Sequence, residues 1–276
     1  MKPNLRLPVL SCAEAAAIES AYINNNDKTG WLLMQRAAHA IAQEAGDLLG
    51  RKPKDILVLA GTGKNGADAL LAAKRASSRS TQITVVFSEK IPSQGLPLRA
   101  WNKVKDQARL VPAERVSLLF SKNFCLIFDG ILGQGFHPPL GPSLQRFIVS
   151  SQKLKGLRIA VDLPSGIGDR WSGPAFRADL TVSIGCLKRP LLSTKAQSYV
   201  GRIRVADIGL PLAETAEACS TQHVLRPLIE PRKAQTEKRA QGRVLIVGGS
   251  DSMPGAVIMN TVAALQSGAG LTTTAL

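Results

Sequence analysis

ILVLAGTGKNGAD, residues Ile56 to Asp68, is the stretch that decides the fold. An apolar run typical of a buried strand enters a turn that contains Gly61, Gly63 and Gly66, and a helix is predicted to follow. Glycines let the backbone approach a ligand closely, and the N–H groups at a helix start favour bound anions. The stretch therefore predicts a phosphate-binding turn and a nucleotide ligand.

Strands and helices alternate in the sequence from Asp55 onward. The predicted strands are ILVLAG, QITVVFS, CLIFDG, RIAVDLP and LTVSIG, with helices over 67–78, 96–108 and 143–153. Two earlier helices are expected, one opened by a capping box at Ser11 and Glu14 and one over Thr29 to Leu49. Such alternation predicts the α/β class, with a parallel sheet covered by helices on both faces.

Distinctive polar residues lie at the carboxyl ends of three of the predicted strands. These segments are Gly61 to Asp68, Asp129 to Gly135 and Asp162 to Gly166. Because ligands of parallel sheets bind beyond the carboxyl ends of the strands, we expect the three segments to share one site. Asn65, Asp129 and Ser165 form an all-oxygen set suited to an alkali or alkaline-earth cation. Roles in turns or helix caps stay open for Asn65, Asp129 and Asp162.

Two charged residues near these segments allow both a structural and a functional interpretation. Asp68 lies in the first turn of a predicted helix, where the helix dipole favours a carboxylate in any case. Lys188 follows the strand LTVSIG and is either a solvated surface lysine or part of an ordered turn with Arg189 and Pro190.

Composition and charge limit the classes of protein to which the chain can belong. The chain has 276 residues, of which 45% are hydrophobic, so it can bury a substantial core. The net charge is +15, but Lys and Arg are scattered and only 4% of residues are aromatic, so we expect no specific nucleic-acid partner. The four cysteines show no C-x-x-C spacing, which disfavours a zinc site. Without an apolar run of membrane-spanning length or a signal core, we expect a cytoplasmic protein with no membrane partner.

The pattern changes in the last quarter of the chain. Leu212 to Gln241 is polar and charged and is interpreted as a linker. A strand at Arg243 to Val247, a glycine-rich turn and a helix at Ala256 to Ser267 follow. We therefore expect one domain over residues 1–222, and a linker with the start of a second domain over residues 223–276.

Several blocks, in this order and spacing, resemble NAD(P)H-hydrate epimerases over residues 11 to about 215. They are SCAEAAAIESAYINN with WLLMQRAAHAIA, VLAGTGKNGADALLAAKRA, LIFDGILGQGF, AVDLPSGIG and KRPLLSTKAQSYVGRIRVADIGLP. The resemblance implies a Rossmann-like three-layer sandwich with a mostly parallel sheet. It also implies a homodimer that interconverts the R and S hydrates of NADH and NADPH in nicotinamide nucleotide repair.

The resemblance further implies a set of site residues. The dinucleotide hydrate would contact Lys64, Asn65, Gly66, Ala67, Asp68, Gly133, Gln134, Gly135, Phe136, His137, Pro138, Pro139 and Asp162. One potassium ion in the domain would bind Asn65, Asp129 and Ser165. Asp162 is expected to act as the general acid or base, with Lys188 as its partner.

The glycine turn departs from the family pattern. It reads GKNGADA over residues 63–69, where the family usually has GNNGGDG. If Ala67 needs a positive φ, its methyl group costs about 1 kcal/mol, while Lys64 is expected to add a cation beside the pyrophosphate. Two alternatives stay open: a catalytically impaired dinucleotide-binding scaffold, and an NAD(P)-dependent dehydrogenase that uses G-x-G-x-x-G with Glu89 as the acidic residue.

The last segment, GRVLIVGGSDSMPGAVIMNTVAALQSGAGLTT, resembles the opening of NAD(P)H-hydrate dehydratases. The resemblance implies an incomplete ribokinase-like α/β segment, with Ala256 at a dehydratase substrate position. The whole chain then resembles a truncated bifunctional repair enzyme. Use of ADP or ATP is expected only where a complete dehydratase domain is present.

Overall fold

The computed structural model describes residues 6–212, 217–221 and 237–275. The chain divides into two compact units, Met1–Thr221 and Gln222–Leu276. Most of the segment interpreted as a linker lies outside the described residues. Among the helices in the described ranges, none is long and apolar enough to cross a membrane.

The first unit has its helices and strands at the following positions. The helices are α1 (Cys12–Ile23), α2 (Asp27–Leu49), α3 (Lys64–Ala76), α4 (Gly95–Val104), α5 (Pro142–Ser151) and α6 (Gln197–Val200). The strands are β1 (Arg6–Leu10), β2 (Asp55–Ala60), β3 (Gln82–Phe87), β4 (Ala108–Leu110), β5 (Asn123–Gly130), β6 (Lys155–Val161), β7 (Leu180–Ile184), β8 (Leu187–Lys188), β9 (Arg202–Ala206) and β10 (Ala218–Ser220).

A seven-stranded sheet forms the centre of this unit, in the order β4-β3-β2-β5-β6-β7-β9. Every neighbouring pair of its strands is parallel. The predicted α/β class and the Rossmann-like sheet are thereby confirmed. A smaller sheet, β10-β1-β8, pairs β1 antiparallel with β10 and parallel with β8.

Helices cover both faces of the large sheet because its strands are apolar on both sides. Along β2, Ile56 and Val58 belong to one buried cluster, which also contains residues of α2, α3 and α4. Leu57 and Leu59 belong to a second cluster with residues of α5. Successive residues of a strand point to opposite faces, so this alternation builds the three layers.

Local capping determines where the first helices begin. At α1, the Ser11 hydroxyl accepts a bond from the Glu14 N–H (3.1 Å), and the Glu14 carboxylate accepts one from the Ser11 N–H (2.7 Å). This confirms the predicted capping box. Helix α2 begins at Asp27, two residues before the predicted start, because the Asn26 side chain caps it by accepting a bond from the Lys28 N–H (3.0 Å).

Helix α3 begins at Lys64, three residues earlier than predicted. Gly63 is its N-cap residue, so Asn65 and Gly66 are already helical. Gly61 and Gly66 are needed for close backbone packing: a Cβ at Gly61 would lie 2.0 Å from the Ile131 oxygen, and one at Gly66 would lie 2.2 Å from the Gly61 oxygen. The glycines thus let α3 start directly at the edge of the sheet.

The second unit contains β11 (Arg243–Val247), α7 (Gly255–Gln266) and β12 (Leu271–Ala275). The two strands are parallel neighbours, so the elements form one β-α-β motif. Large apolar side chains on this unit are exposed, among them Leu245, Val247 and Met259. Ala256 is the second residue of α7 and is exposed.

Candidate active site

A cavity of about 450 Å³ lies in the first unit, beside the carboxyl ends of the central strands. It is lined by parts of α1 and α2, the start of α3, the loop after β5, Asp162, and residues at the end of β7 and in β8. The volume lies in the usual range of small-molecule sites, roughly 300 to 1,000 Å³. The three segments that the sequence analysis assigned to one site all reach this region.

Three oxygen-bearing residues, Asn65, Asp129 and Ser165, meet around the backbone of Leu132. The Ser165 hydroxyl donates to Asp129 Oδ1 (2.5 Å) and accepts a bond from the Leu132 N–H (2.9 Å). The Ser165 N–H donates to Asp129 Oδ2 (2.8 Å). Asn65 Nδ2 donates to the Leu132 carbonyl (2.8 Å). Backbone and side chains therefore place the predicted oxygen set in one cluster.

Asp129 is fully buried in this cluster. Burial raises the pKa of its carboxyl to about 7, although hydrogen bonds from Ser165 and Ile131 oppose the rise. The salt bridges found among the described residues do not include Asp129. An ionised carboxylate here would lack a salt-bridge partner among the described residues, and a bound cation of low charge with oxygen ligands fits that need.

Asp162 and Lys188 form a buried ion pair in the cavity wall. Asp162 is 4% exposed and Lys188 is 1% exposed. Asp162 Oδ1 accepts bonds from the Lys188 ammonium and from the Ile184 N–H (3.0 Å). Lys188 also donates to the Ile184 carbonyl. The interpretation of Lys188 as a solvated surface lysine is therefore wrong, because its side chain lies inside the unit.

Two features distinguish Asp162 from an ordinary ion-paired aspartate. Asp162 has φ +69, in the left-handed region that non-glycine residues seldom adopt. Its Oδ2 atom accepts no hydrogen bond from the part of the chain that the structure describes, and Asp162 lines the cavity. The carboxylate therefore has one oxygen held by protein groups and one available to a ligand.

The charge of Lys188 is stabilised by its partner. Burial alone lowers the pKa of the ammonium, but the Asp162 charge and its hydrogen bond outweigh that effect and raise the pKa above its usual value. Lys188 therefore stays protonated at neutral pH and holds Asp162 in place.

Asp68 lies one turn inside α3 because the helix starts earlier than predicted. The prediction that Asp68 lies in the first turn of the helix is therefore wrong. The helix dipole does not explain a carboxylate at this position. Asp68 is 9% exposed, and its Oδ1 atom has no hydrogen-bond partner among the described residues. Burial, followed by the charges of Glu19 and Asp162, raises the pKa of Asp68 well above its usual value. Asp68 also lines the cavity.

Ala67 does not have the backbone strain that a positive φ would cause, which the sequence analysis considered. It lies within α3, is 1% exposed, and is not among the described residues with positive φ. Its methyl group packs in the main hydrophobic cluster. The expected cost of a positive φ at this position is therefore absent.

The structure separates the expected dinucleotide contacts into two groups. Those that line the cavity are Lys64, Asn65, Asp68, Gly133, Gln134, Gly135, Phe136 and Asp162. Those outside the lining are Gly66, Ala67, His137, Pro138 and Pro139. Glu89, the acidic residue of the dehydrogenase alternative, also lines the cavity but is exposed.

Sequence reasoning missed Glu19, which lies on α1 and lines the cavity. Its carboxylate accepts bonds from Lys64 Nζ (3.0 Å) and from Gln134 Nε2 (2.6 Å). The available signal was its spacing from Ala15, four residues earlier on the same helix face, which also lines the cavity. Helix α1 is itself fixed by Asp169, whose carboxylate accepts bonds from the Cys12 N–H (2.8 Å) and the Ala13 N–H (3.0 Å).

Comparison with solved structures supports the same fold. The crystal structure of yeast ynu0 superposes with a TM-score of 0.59, at 19% sequence identity, and covers 78% of this chain and 100% of the yeast chain. At that identity the likeness concerns the fold alone.

Comparison with curated proteins finds relatives called bifunctional NAD(P)H-hydrate repair enzymes. The one from Leishmania braziliensis is 30% identical in an alignment of 276 positions, which covers 94% of this chain and 48% of the relative. The one from Moorella thermoacetica is 32% identical in an alignment of 243 positions, which covers 80% of this chain and 44% of the relative. The chain thus spans about half the length of the curated relatives that it matches.

A family model described as YjeF-related protein N-terminus matches residues 31–190, which include α3, the oxygen cluster and the Asp162–Lys188 pair. The match covers more than half of the chain and contains six of the seven strands of the central sheet, all except β9. The chain therefore belongs to the YjeF N-terminal family.

Proposed function

We propose that the first unit is an NAD(P)H-hydrate epimerase, which interconverts the R and S hydrates of NADH and NADPH. The observation that carries the proposal is the buried Asp162–Lys188 pair, with Asp162 Oδ2 available in a cavity that also receives the start of α3. Family membership and the names of the relatives support it.

The start of α3 suits the pyrophosphate of the dinucleotide. Gly63, Lys64 and Asn65 line the cavity, and the first N–H groups of a helix attract anions. Lys64 adds a cation at the same place. The hydrated ring would then extend toward Asp162, with Asp68 available for a hydroxyl or amide of the substrate.

Asp162 is the proposed general acid and base. The hydrated carbon carries a hydroxyl group and the ring nitrogen. As its C–O bond breaks, the nitrogen lone pair forms a C=N bond. Asp162 passes a proton from the Lys188 ammonium to the hydroxyl, which leaves as water. Water then adds to the opposite face, the C=N electron pair returns to nitrogen, and the proton lost by that water returns through Asp162 to Lys188. Substrate and product have the same composition, and no electron is gained or lost.

Asn65, Asp129 and Ser165 are the proposed potassium ligands. Their donor atoms are oxygens, and the buried Asp129 lacks a cationic partner among the described salt bridges. When bound, potassium would supply that counter-charge. Asn65 belongs to α3, Asp129 to β5, and Ser165 to the loop after Asp162, so this set connects the phosphate side of the cavity with the reaction side.

The second unit is proposed to open a dehydratase domain, with Ala256 at its substrate site and ADP or ATP as cosubstrate of the complete domain. The β-α-β motif and the bifunctional names of the relatives support this proposal. A homodimer in the cytoplasm is a further proposal, which rests on the sequence resemblance and the composition alone.

The test is chromatographic separation of the R and S hydrates after incubation with the purified chain. An epimerase speeds conversion of one pure epimer into the equilibrium mixture, with no change in the amount of hydrate. Unchanged rates with folded protein would contradict the proposal. The dehydrogenase alternative predicts oxidation or reduction of the nicotinamide instead, which absorbance would reveal.

A further inference from the structure

Glu19 connects three separate parts of the cavity wall. It lies on α1, while Lys64 begins α3 and Gln134 lies in the loop after β5. Each carboxylate oxygen accepts one bond, Oε1 from Lys64 (3.0 Å) and Oε2 from Gln134 (2.6 Å). All three residues line the cavity, so this set of contacts, here called the Glu19 bridge, crosses the cavity wall.

The bridge lies where a ligand can reach it. The side chain of Glu19 is 22% exposed and that of Lys64 is 56% exposed. The negative charge of Glu19 also acts inside the cavity, since it is among the causes that raise the pKa of Asp68. A carboxylate thus sits beside the position proposed for the pyrophosphate and already holds the cation expected to bind it.

We infer that Glu19 competes with the pyrophosphate of the dinucleotide for Lys64 and Gln134, and releases both when the ligand binds. This inference rests on the proposed function. Before binding, the carboxylate keeps the two donors oriented toward the phosphate position. After binding, the phosphate oxygens take over the two donors, and Glu19 remains as a nearby like charge that favours release of the product.

A purely structural bridge behaves differently. An ion pair this exposed contributes little to folding, so loss of Glu19 should hardly change thermal stability. A static bridge that persists with ligand bound would make the effects of Glu19 and Lys64 on affinity independent. Competition makes the two effects on affinity depend on each other. Glu19 weakens binding by occupying Lys64, and this part of its effect disappears when Lys64 is replaced.

The experiment measures binding of NADP⁺ to the full chain by titration calorimetry at low salt. The variants are Glu19→Gln, Lys64→Gln and the double variant, each checked for its unfolding temperature. The matched control is Glu44→Gln, because Glu44 also pairs with a basic side chain, Arg204 (3.4 Å), but does not line the cavity.

Competition predicts that Glu19→Gln tightens binding roughly tenfold at low salt, and less at high salt, because a like charge and a rival for Lys64 are both removed. In the Lys64→Gln background, the increase in affinity caused by Glu19→Gln should be smaller by a factor of roughly two to five. This factor corresponds to the energy of an exposed ion pair. Lys64→Gln alone should weaken binding, and Glu44→Gln should leave the affinity unchanged.

Four results would overturn the inference. Weaker binding by Glu19→Gln would make Glu19 a direct substrate contact. An equal gain in both backgrounds would mean that the bridge stays closed with ligand bound. Failure of the wild type and all variants to bind NADP⁺ would contradict both the competition and the proposed dinucleotide site, whereas normal epimerisation with unchanged Glu19→Gln affinity would contradict the competition alone.

Discussion

Lys188 donates a hydrogen bond to Oδ1 of Asp162 while both side chains are buried in the wall of one cavity. The two residues lie 26 positions apart and are brought together by the end of β7 and by β8. This contact positions the carboxylate, keeps its second oxygen available, and makes the two residues dependent on each other for stability.

Removal of one charge from this pair should destabilise the protein. Asp162→Asn leaves the buried Lys188 ammonium without its partner, which costs roughly 3 to 5 kcal/mol of unfolding free energy. The double variant Asp162→Asn with Lys188→Met removes both charges and should regain most of that loss. Urea unfolding measures the unfolding free energies of the wild type and both variants. A double variant that is no more stable than Asp162→Asn would contradict the prediction that the unpaired Lys188 charge causes the loss.

Potassium should stabilise the protein through Asp129. Ligand binding to the folded state raises the unfolding temperature, so the wild type should unfold at a higher temperature in potassium chloride than in choline chloride of equal ionic strength. Asp129→Asn removes the charged ligand and should abolish this difference. Scanning fluorimetry is sufficient, and an equal response of wild type and Asp129→Asn to potassium would exclude Asp129 as a ligand.

Stability should depend on pH through Asp68. Its folded-state pKa is raised above the ordinary value of 3.8, so burial favours the neutral form. The associated stability is fully present below pH 3.8 and is lost as pH rises through the raised pKa. Asp68→Asn cannot ionise and should gain stability relative to wild type as pH rises from 5 to 8. Denaturant unfolding across that pH range measures the difference in unfolding free energy between Asp68→Asn and wild type. A stability advantage of Asp68→Asn that shrinks as pH rises would contradict the prediction.

Restoring the family glycine at residue 67 should weaken the fold without improving activity. Ala67 is helical and buried, so Ala67→Gly loses helix propensity and methyl packing, at a cost of about 1 kcal/mol or more. Comparison of the unfolding free energy and the epimerisation rate of both proteins checks this. A faster variant of unchanged stability would show that the methyl group obstructs the site.

The alternation of strands and helices could be predicted because buried parallel strands are apolar along their whole length. The edge strands β4 and β9 escaped prediction, since ARL and RIRVA contain arginines and are partly exposed. The helix start at Lys64 was also missed, because a glycine-rich segment favours a turn when its neighbours are unknown. Here the backbone packing of Gly61 against Ile131 allows the earlier start.

The site could be predicted only in part, and the reason is distance along the chain. Asn65, Asp129 and Ser165 lie at or after the carboxyl ends of parallel strands, so parallel topology alone indicates that they meet. The contact of Glu19 with Gln134 spans 115 positions, and the helical spacing of Glu19 from Ala15 does not identify Gln134 as its partner. The positive φ of Asp162 and the absence of a hydrogen-bond partner for Asp68 Oδ1 among the described residues also depend on tertiary packing. Neither could therefore be predicted from the sequence.

The central claim is that Asp162 performs acid-base catalysis in this cavity. Its most direct test is the rate at which pure R-NADH hydrate converts to the S form, measured by chromatography with wild type, with the Asp162→Asn, Lys188→Met double variant, and without protein. We predict acceleration by wild type and a loss of roughly 100-fold or more in the folded double variant. Equal rates for wild type and the folded double variant would contradict the role of Asp162.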